Sequence, residues 1–304
     1  MLIWLGNGAL ARVLSDANVV LRDDAEVAGP SVVVTYKEGV LLMDQWKAAN
    51  GRITLFPASP FSATTSSVVA AYRSVWGADP DSFQAQPNAL QPSVAQGKGS
   101  AFTRQLLFHP GRIDFNLNPI PTQMTQPGGM PLALIEDTKA LHDELARMAK
   151  ALAQANSFPA NSRVALWIQF LCEKVSVVEV NRKILEAMPE AYRPKITDEH
   201  DLIFQLNRPR SSATVQNVRM NFITKWSSER FQVVELAFSS GVAVSQEHNL
   251  QVKDFLAASL SFDNNNVPDP NQQLTSNEQS LLLLEALSAV EIQLHELKVE
   301  IEGF

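Results

Sequence analysis

The chain has 304 residues, with 25 Lys or Arg against 32 Asp or Glu, so its formal charge at pH 7 is −7. This length allows one large or two medium domains with a buried core. The single cysteine, Cys172, excludes an intramolecular disulfide and a cysteine-rich zinc module, and we expect a buried structural thiol. No apolar run approaches the roughly 18 residues of a membrane span, so the sequence predicts a cytoplasmic protein without a membrane partner.

Composition predicts three segments. Residues 79–100 are rich in Pro, Gln and Ser, and we interpret them as a linker. The linker separates a small N-terminal α/β unit, residues 1–78, from an α+β main domain, residues 101–304. Within the main domain, residues 263–273 include three consecutive Asn and two Pro, which we expect to interrupt any helix or central strand.

The N-terminal unit combines short strands with one motif of chemical interest. We predict strands at 2–5, 18–21, 31–36 and 53–56 and a helix at 63–76.

The motif is Gly6-Asn7-Gly8, which follows the first strand and matches the G-x-G-x-x-A turn of a dinucleotide site. In such a site the glycines let the backbone approach a pyrophosphate at the N-terminus of the next helix, and Asp23 stands where a ribose-binding carboxylate is expected. The alternative, which we favour, is a tight turn that binds no cofactor.

A β-hairpin is the clearest pattern in the main domain. Runs at 103–108 and 112–118 flank His109-Pro110-Gly111, where Pro restricts φ to about −65° and Gly permits a positive φ. Apolar and polar residues alternate in the second run, so one face is expected to be buried and the other to meet solvent.

Helices and strands are then expected in turn. Apolar residues at helical spacing predict helices at 132–155 and 176–188, with the strand 163–170 between them.

Two further strands follow, at 202–206 and 217–226, and Ser227-Ser228-Glu229 is predicted to turn the chain into another at 231–238. Strands joined by such short connections are antiparallel. The sequence therefore predicts an α+β fold in which helices cover one face of an antiparallel sheet.

A basic, amide-rich region marks a candidate interaction surface. Residues 181–230 carry nine basic and six acidic side chains, a local charge of +3 in an acidic chain. Such a surface suits an acidic protein segment or, less favoured, a nucleic acid. The acidic total charge and the lack of an aromatic pair on this face argue against a binding role. The plain alternative is a solvated outer face of the sheet. The predicted partner-binding residues are Arg208, Asn217, Arg219, Asn221 and Lys225.

The C-terminal segment predicts a long amphipathic helix over 276–303. Thr275 and Glu278 form a capping box before it. Its apolar residues repeat at alternating spacings of four and three, which suits either packing onto the sheet or an interface between molecules. These residues are Leu283, Leu287, Val290, Leu294, Leu297 and Ile301.

No catalytic set is recognisable in the sequence, which contains neither a nucleophile elbow nor a P-loop nor paired metal ligands. We interpret the acidic cluster at 198–201 as a solvated loop. We therefore predict a non-enzymatic binding or assembly protein that engages a protein partner or another copy of itself through the basic sheet face and the C-terminal helix. The alternative is an NAD-type nucleotide-dependent enzyme or sensor that uses Gly6 and Gly8.

Overall fold

The computed structural model describes residues 2–5, 9–12, 17–21, 32–36, 45–59, 64–84, 92–120, 133–155, 158–194, 201–236, 250–269 and 272–304. Contacts divide the chain into two units, Met1–Asp44 and Gln45–Phe304. The first unit contains two antiparallel strand pairs. One joins β1 (Leu2–Leu5) to β2 (Ala9–Arg12), and the other joins β3 (Ala17–Leu21) to β4 (Val32–Tyr36).

The second unit is built on one ten-stranded sheet in which every strand pair is antiparallel. Its strand order is β11-β13-β14-β10-β5-β9-β8-β7-β6, and β12 pairs with β13 beside β11. The strands are β5 (Lys47–Pro57), β6 (Ser82–Gln84), β7 (Ser93–Lys98), β8 (Phe102–His109), β9 (Arg112–Pro119), β10 (Asn161–Lys174), β11 (Ile203–Asn207), β12 (Arg210–Ser211), β13 (Arg219–Leu236) and β14 (Leu250–Asn266).

Four helices complete this unit, and each begins at a side-chain cap. They are α1 (Thr65–Trp76), α2 (Thr138–Gln154), α3 (Val177–Ala187) and α4 (Ser276–Leu297). The capping box predicted for α4 is confirmed, since Thr275 accepts from Glu278 N and the Glu278 side chain accepts from Thr275 N. Helix α2 begins later than predicted because Ile135 still bridges to Ala48 as extended chain and Asp137 caps the helix.

The helices all pack on one face of the sheet. On this face Trp226 Nε1 donates to Ala187 O at the end of α3, and the Trp76 ring of α1 lies 5.9 Å from Phe115. The largest side chains of the face, including Phe170 and Phe262, are buried. The predicted α+β fold with helices on one face of an antiparallel sheet is confirmed.

Several elements match their predictions closely. The hairpin of β8 and β9 turns at Pro110-Gly111, and Gly111 has a φ of 77°. Cys172 is buried and reduced. All six apolar residues of the predicted C-terminal seam are buried: Leu283, Leu287, Val290, Leu294, Leu297 and Ile301.

The division of the chain differs from the predicted boundaries. Strand β5 lies in the middle of the large sheet, paired with β9 and β10, so the chain from Gln45 onward belongs to the second unit rather than to a unit of residues 1–78. The proposed linker, residues 79–100, contains the edge strand β6 and its neighbour β7. Neither strand contains a proline, so both pair without interruption.

The expectation that residues 263–273 interrupt the sheet is wrong for 263–266, because β14 continues through Asn266 and ends there. Asparagine normally disfavours a central strand, since its side chain competes for backbone groups. Here those side chains have tertiary partners. Asn264 Nδ2 donates to Ala286 O of α4 at 2.8 Å, and Asn266 Oδ1 accepts from Val164 N at 2.7 Å.

The predicted turn at Ser227-Ser228-Glu229 is also wrong. These residues continue β13 and pair with Ser259, Ala258 and Ala257 of β14. Ser228 is held there from its other side, where its backbone N donates to Leu202 O and its Oγ accepts from Leu202 N at 3.0 Å. A pair of serines is typical of a turn, but here both continue a strand that has neighbours on each side.

Candidate binding face of the sheet

The face of the sheet opposite the helices is polar, and we call it the open face. Strand registers bring its side chains into rows that cross the sheet; one row joins Asn116 of β9, Arg52 of β5, Trp167 of β10 and Asp263 of β14. Small side chains such as Thr54 and Ser259 are buried between larger ones that are partly exposed. Amides, hydroxyls and guanidinium groups therefore predominate on this face, together with a few apolar side chains such as Trp167 and Ile223, which pairs with Asp263.

Of the predicted partner-binding residues, Asn221 takes part in a chain of hydrogen bonds within the open face. Asn207 donates to Asn221, Asn221 donates to Asn265 and Asn265 donates to Asp263 Oδ1, with distances of 3.2, 3.2 and 2.9 Å. An ionised carboxylate only accepts, so Asp263 sets the direction of each amide in the chain. Asn221 therefore has internal partners on both sides.

Arg219 and Lys225 lie on the same open face, two residues before and four residues after Asn221 in β13. Arg219 is exposed and Lys225 is partly exposed. No hydrogen bond or ion pair joins either side chain to another of the described residues. Their role in binding a partner stays a prediction.

The structure separates the other two predicted residues from this pair. Arg208 follows β11, and its Nη1 lies 2.6 Å from Glu296 Oε2 of α4. Its side chain therefore forms an ion pair with α4, which packs on the helical face of the sheet. Asn217 is exposed in the turn before β13 and has a φ of 61°, a conformation that Asn tolerates better than most residues.

Two arginines that the sequence did not single out stack on aromatic rings of the open face. The guanidinium carbon of Arg52 lies 5.0 Å from the Trp167 ring centroid, and that of Arg163 lies 4.7 Å from the Phe56 centroid. Both Nε atoms are buried and have no hydrogen-bond partner among the described residues. Stacking holds each guanidinium flat while its in-plane donors remain available.

A buried carboxylate lies beside these pairs. Asp114 is only 2% exposed; its Oδ1 accepts from Thr54 Oγ1 at 2.7 Å, and its Oδ2 lies 2.8 Å from Arg112 Nε and 3.4 Å from His109 Nε2. Burial and then the positive charge of Arg112 lower the pKa of His109, against the opposite effect of Asp114. His109 is therefore neutral at pH 7, and Arg112 supplies the counter-charge of Asp114.

Part of this arrangement was readable from the sequence. Alternation in the second hairpin strand places Arg112 and Asp114 on its polar face, and the two-residue turn brings His109 opposite Arg112. The stacked pairs gave no such signal. Arg52 and Trp167 are separated by more than a hundred residues, and only the register of β5 against β10 brings them together.

The C-terminal helix was the second predicted interaction element. Its seam faces the core, and α4 packs against α2 and strands β10 and β14. Of its apolar residues, Ile292 is 49% exposed. The intramolecular alternative for this helix is therefore the one observed in the structure.

The proposed cofactor residues Gly6, Gly8 and Asp23 lie outside the described residues. The segment that follows Gly8 is the strand β2, not the helix that the dinucleotide motif requires. A NAD-type cofactor stays a prediction, and among the described residues no helix directly follows Gly8 to support it. The cluster at 198–201 is described only at Asp201, which lies 3.6 Å from Arg230. Across the described ranges, no three His, Cys, Asp or Glu side chains group as a metal site would require.

Comparison with known proteins identifies no relative. No family model matches the chain, and no curated protein is similar to it in sequence. None of the described helices has the length and apolar composition needed to cross a membrane.

Proposed function

We propose that this protein is a non-enzymatic binding or assembly protein that engages a protein partner, or a second copy of itself, through the open face. The observation that carries the proposal is the pair Arg219 and Lys225, two cations on β13 with no partner among the described side chains. A charged side chain that makes no internal contact adds little to the stability of the fold. A partner of opposite charge can use it for affinity and for orientation.

The proposal assigns the interaction to the sheet rather than to α4. The apolar seam of α4 is occupied by the core, so that helix has no unpaired apolar face to offer. A cytoplasmic location is part of the proposal, and a single cysteine, which allows no internal disulfide, fits a reducing compartment. A nucleotide-dependent activity has no observation in its favour among the described residues.

Native mass spectrometry and chemical cross-linking of the full chain test the proposal. The parent protein is expected either to form a multiple of 33.5 kDa or to retain a protein partner from its source. Charge reversal in R219E/K225E is expected to abolish that assembly and to leave the melting temperature within about 1 °C, because surface substitutions usually change stability by less than about 0.5 kcal/mol.

The matched control is K150E, which reverses an exposed charge on α2 of the helical side. It is expected to assemble as the parent does. A parent that is monomeric and captures no partner, or an R219E/K225E variant that assembles normally, would contradict the proposed function.

A further inference from the structure

Three arginines of the open face lie in one row across the sheet. Arg163 of β10 pairs with Phe56 of β5, and Phe56 lies opposite Arg112 of β9, one place beyond the pair Leu55 and Ile113.

On the other side of Arg163, the neighbouring strand β14 ends beside Val267, whose N donates to Arg219 O of β13 at 2.8 Å. Arg112, Arg163 and Arg219 therefore occur on every second strand. Since neighbouring strands are about 4.8 Å apart, the backbones of successive arginines are separated by about 10 Å.

The row presents its guanidinium groups in a form suited to carboxylates. Arg163 is stacked on Phe56, and Arg52, two rows along β5, is stacked on Trp167. A guanidinium fixed in this way loses less conformational entropy when its paired N–H donors bind the two oxygens of a carboxylate.

Charge is distributed unevenly along the open face. The acids near the arginines are already engaged, since Asp114 contacts Thr54 and Arg112, and Asp263 accepts from Asn265.

At the opposite end of the strands, Glu173 of β10 and Glu229 of β13 lie on the same face, one on each side of Ala257 of β14. The arginine end is positive and the other end negative. A long phosphate backbone that crossed the whole face would meet both.

We infer that an acidic segment of a partner protein binds across the row Arg112, Arg163 and Arg219, with Arg52 contributing from two rows along β5. This inference rests on the proposed function and names its partner chemistry. An extended peptide advances about 3.3 Å per residue, so six to seven residues span the row. A peptide suits this face better than single-stranded nucleic acid because Phe56 and Trp167 are covered by arginines, which leaves those ring faces unavailable for base stacking.

Fluorescence anisotropy with a labelled (Asp-Glu)5 peptide and the full-length protein tests the inference. We expect saturable binding that weakens as salt is raised. R163Q and R219Q are each expected to weaken binding by about tenfold, because each removes one charge-assisted pair. R219Q changes an exposed residue, so the test holds even if R163Q folds poorly. K150Q on the helical side is the matched control and should bind as the parent does.

Two results would overturn the inference. One is the absence of saturable peptide binding, or peptide binding that R163Q and R219Q leave unchanged. The other is tighter binding of a labelled dT10 oligonucleotide than of the peptide, which would assign the row to nucleic acid. If the peptide fails but R219E/K225E still abolishes assembly, the proposed function stands and only its acidic partner is refuted.

Discussion

Strand β7 makes a close contact with α1 that allows a sharp test of the packing. A Cβ added at Gly97 would overlap the Tyr72 hydroxyl oxygen, while Tyr72 Cζ would be 3.2 Å away. Tyr72 is only 2% exposed and its ring lies 4.3 Å from that of Trp76, so it has little room to move. The hydroxyl oxygen is therefore the main clash, and Cζ is the second.

The free energies follow from this geometry. Overpacking a core costs about 1–3 kcal/mol, whereas replacing Gly by Ala in a compatible strand recovers about 0.5–1 kcal/mol from the unfolded chain. We expect G97A to lower the free energy of unfolding by about 1–2 kcal/mol. Y72F removes the overlapping oxygen but keeps Cζ, so G97A should cost less in the Y72F protein than in the parent, with a favourable coupling of about 1 kcal/mol.

Urea unfolding of the four proteins of this cycle, followed by tryptophan fluorescence, measures each free energy of unfolding. The contact between Tyr72 and Trp76 makes the fluorescence sensitive to this region. Additive effects of the two substitutions, or a G97A protein as stable as the parent, would refute the proposed contact between β7 and α1.

Three further substitutions test individual contacts by thermal unfolding. Hydrogen bonds from the 212–214 loop lower the pKa of Glu285 despite the opposing effect of burial, so E285Q should lower the melting temperature at pH 7, and the difference should shrink as the pH falls through the folded-state pKa. Burial raises the pKa of Glu173, so E173Q should raise the melting temperature at pH 7, and the gain should vanish below about pH 4. N266A should cost about 1–3 kcal/mol because it leaves the buried Val164 N without its acceptor.

Each of these expectations has an opposite result that would contradict it. A pH-independent loss in E285Q would show that the ionised carboxylate is not what holds the loop. A lower melting temperature for E173Q at pH 7 would mean that ionised Glu173 has a stabilising partner. For N266A the control is N118A, a partly exposed amide on β9 with no side-chain partner among the described residues, and equal losses in both would refute the buried bond.

The open face shows where sequence reasoning succeeds and where it stops. Alternation correctly placed Arg219, Asn221 and Lys225 on one polar face, because a strand's side chains alternate whatever its neighbours are. It did not reveal that Asn221 is bound by Asn207 and Asn265, because those residues belong to other strands. Local spacing gives the face of a side chain but not its partners.

The predicted break at the asparagines of β14 and the predicted turn at the serines of β13 were wrong for one physical reason. Low strand propensity is a weak local preference, and it is overcome when tertiary hydrogen bonds satisfy the polar side chains. Asn264 bonds to α4 and Asn266 to β10, over sequence separations of 22 and 102 residues. Long-range pairing also explains why the domain boundary lies after Asp44 and not at residue 78. Strand β5 pairs with β10, which is more than a hundred residues away in the sequence, and so belongs to the second unit.

The sequence by itself determined the hairpin at Pro110-Gly111, the caps and apolar seams of the helices and the two-faced character of the strands, because these depend on periodicity and on φ within a few residues. Only the tertiary structure decided the order of the strands, the burial of α4 and the row of Arg112, Arg163 and Arg219. These features depend on which distant strands pair and in which register, and that choice minimises the free energy of the whole sheet rather than of any local segment.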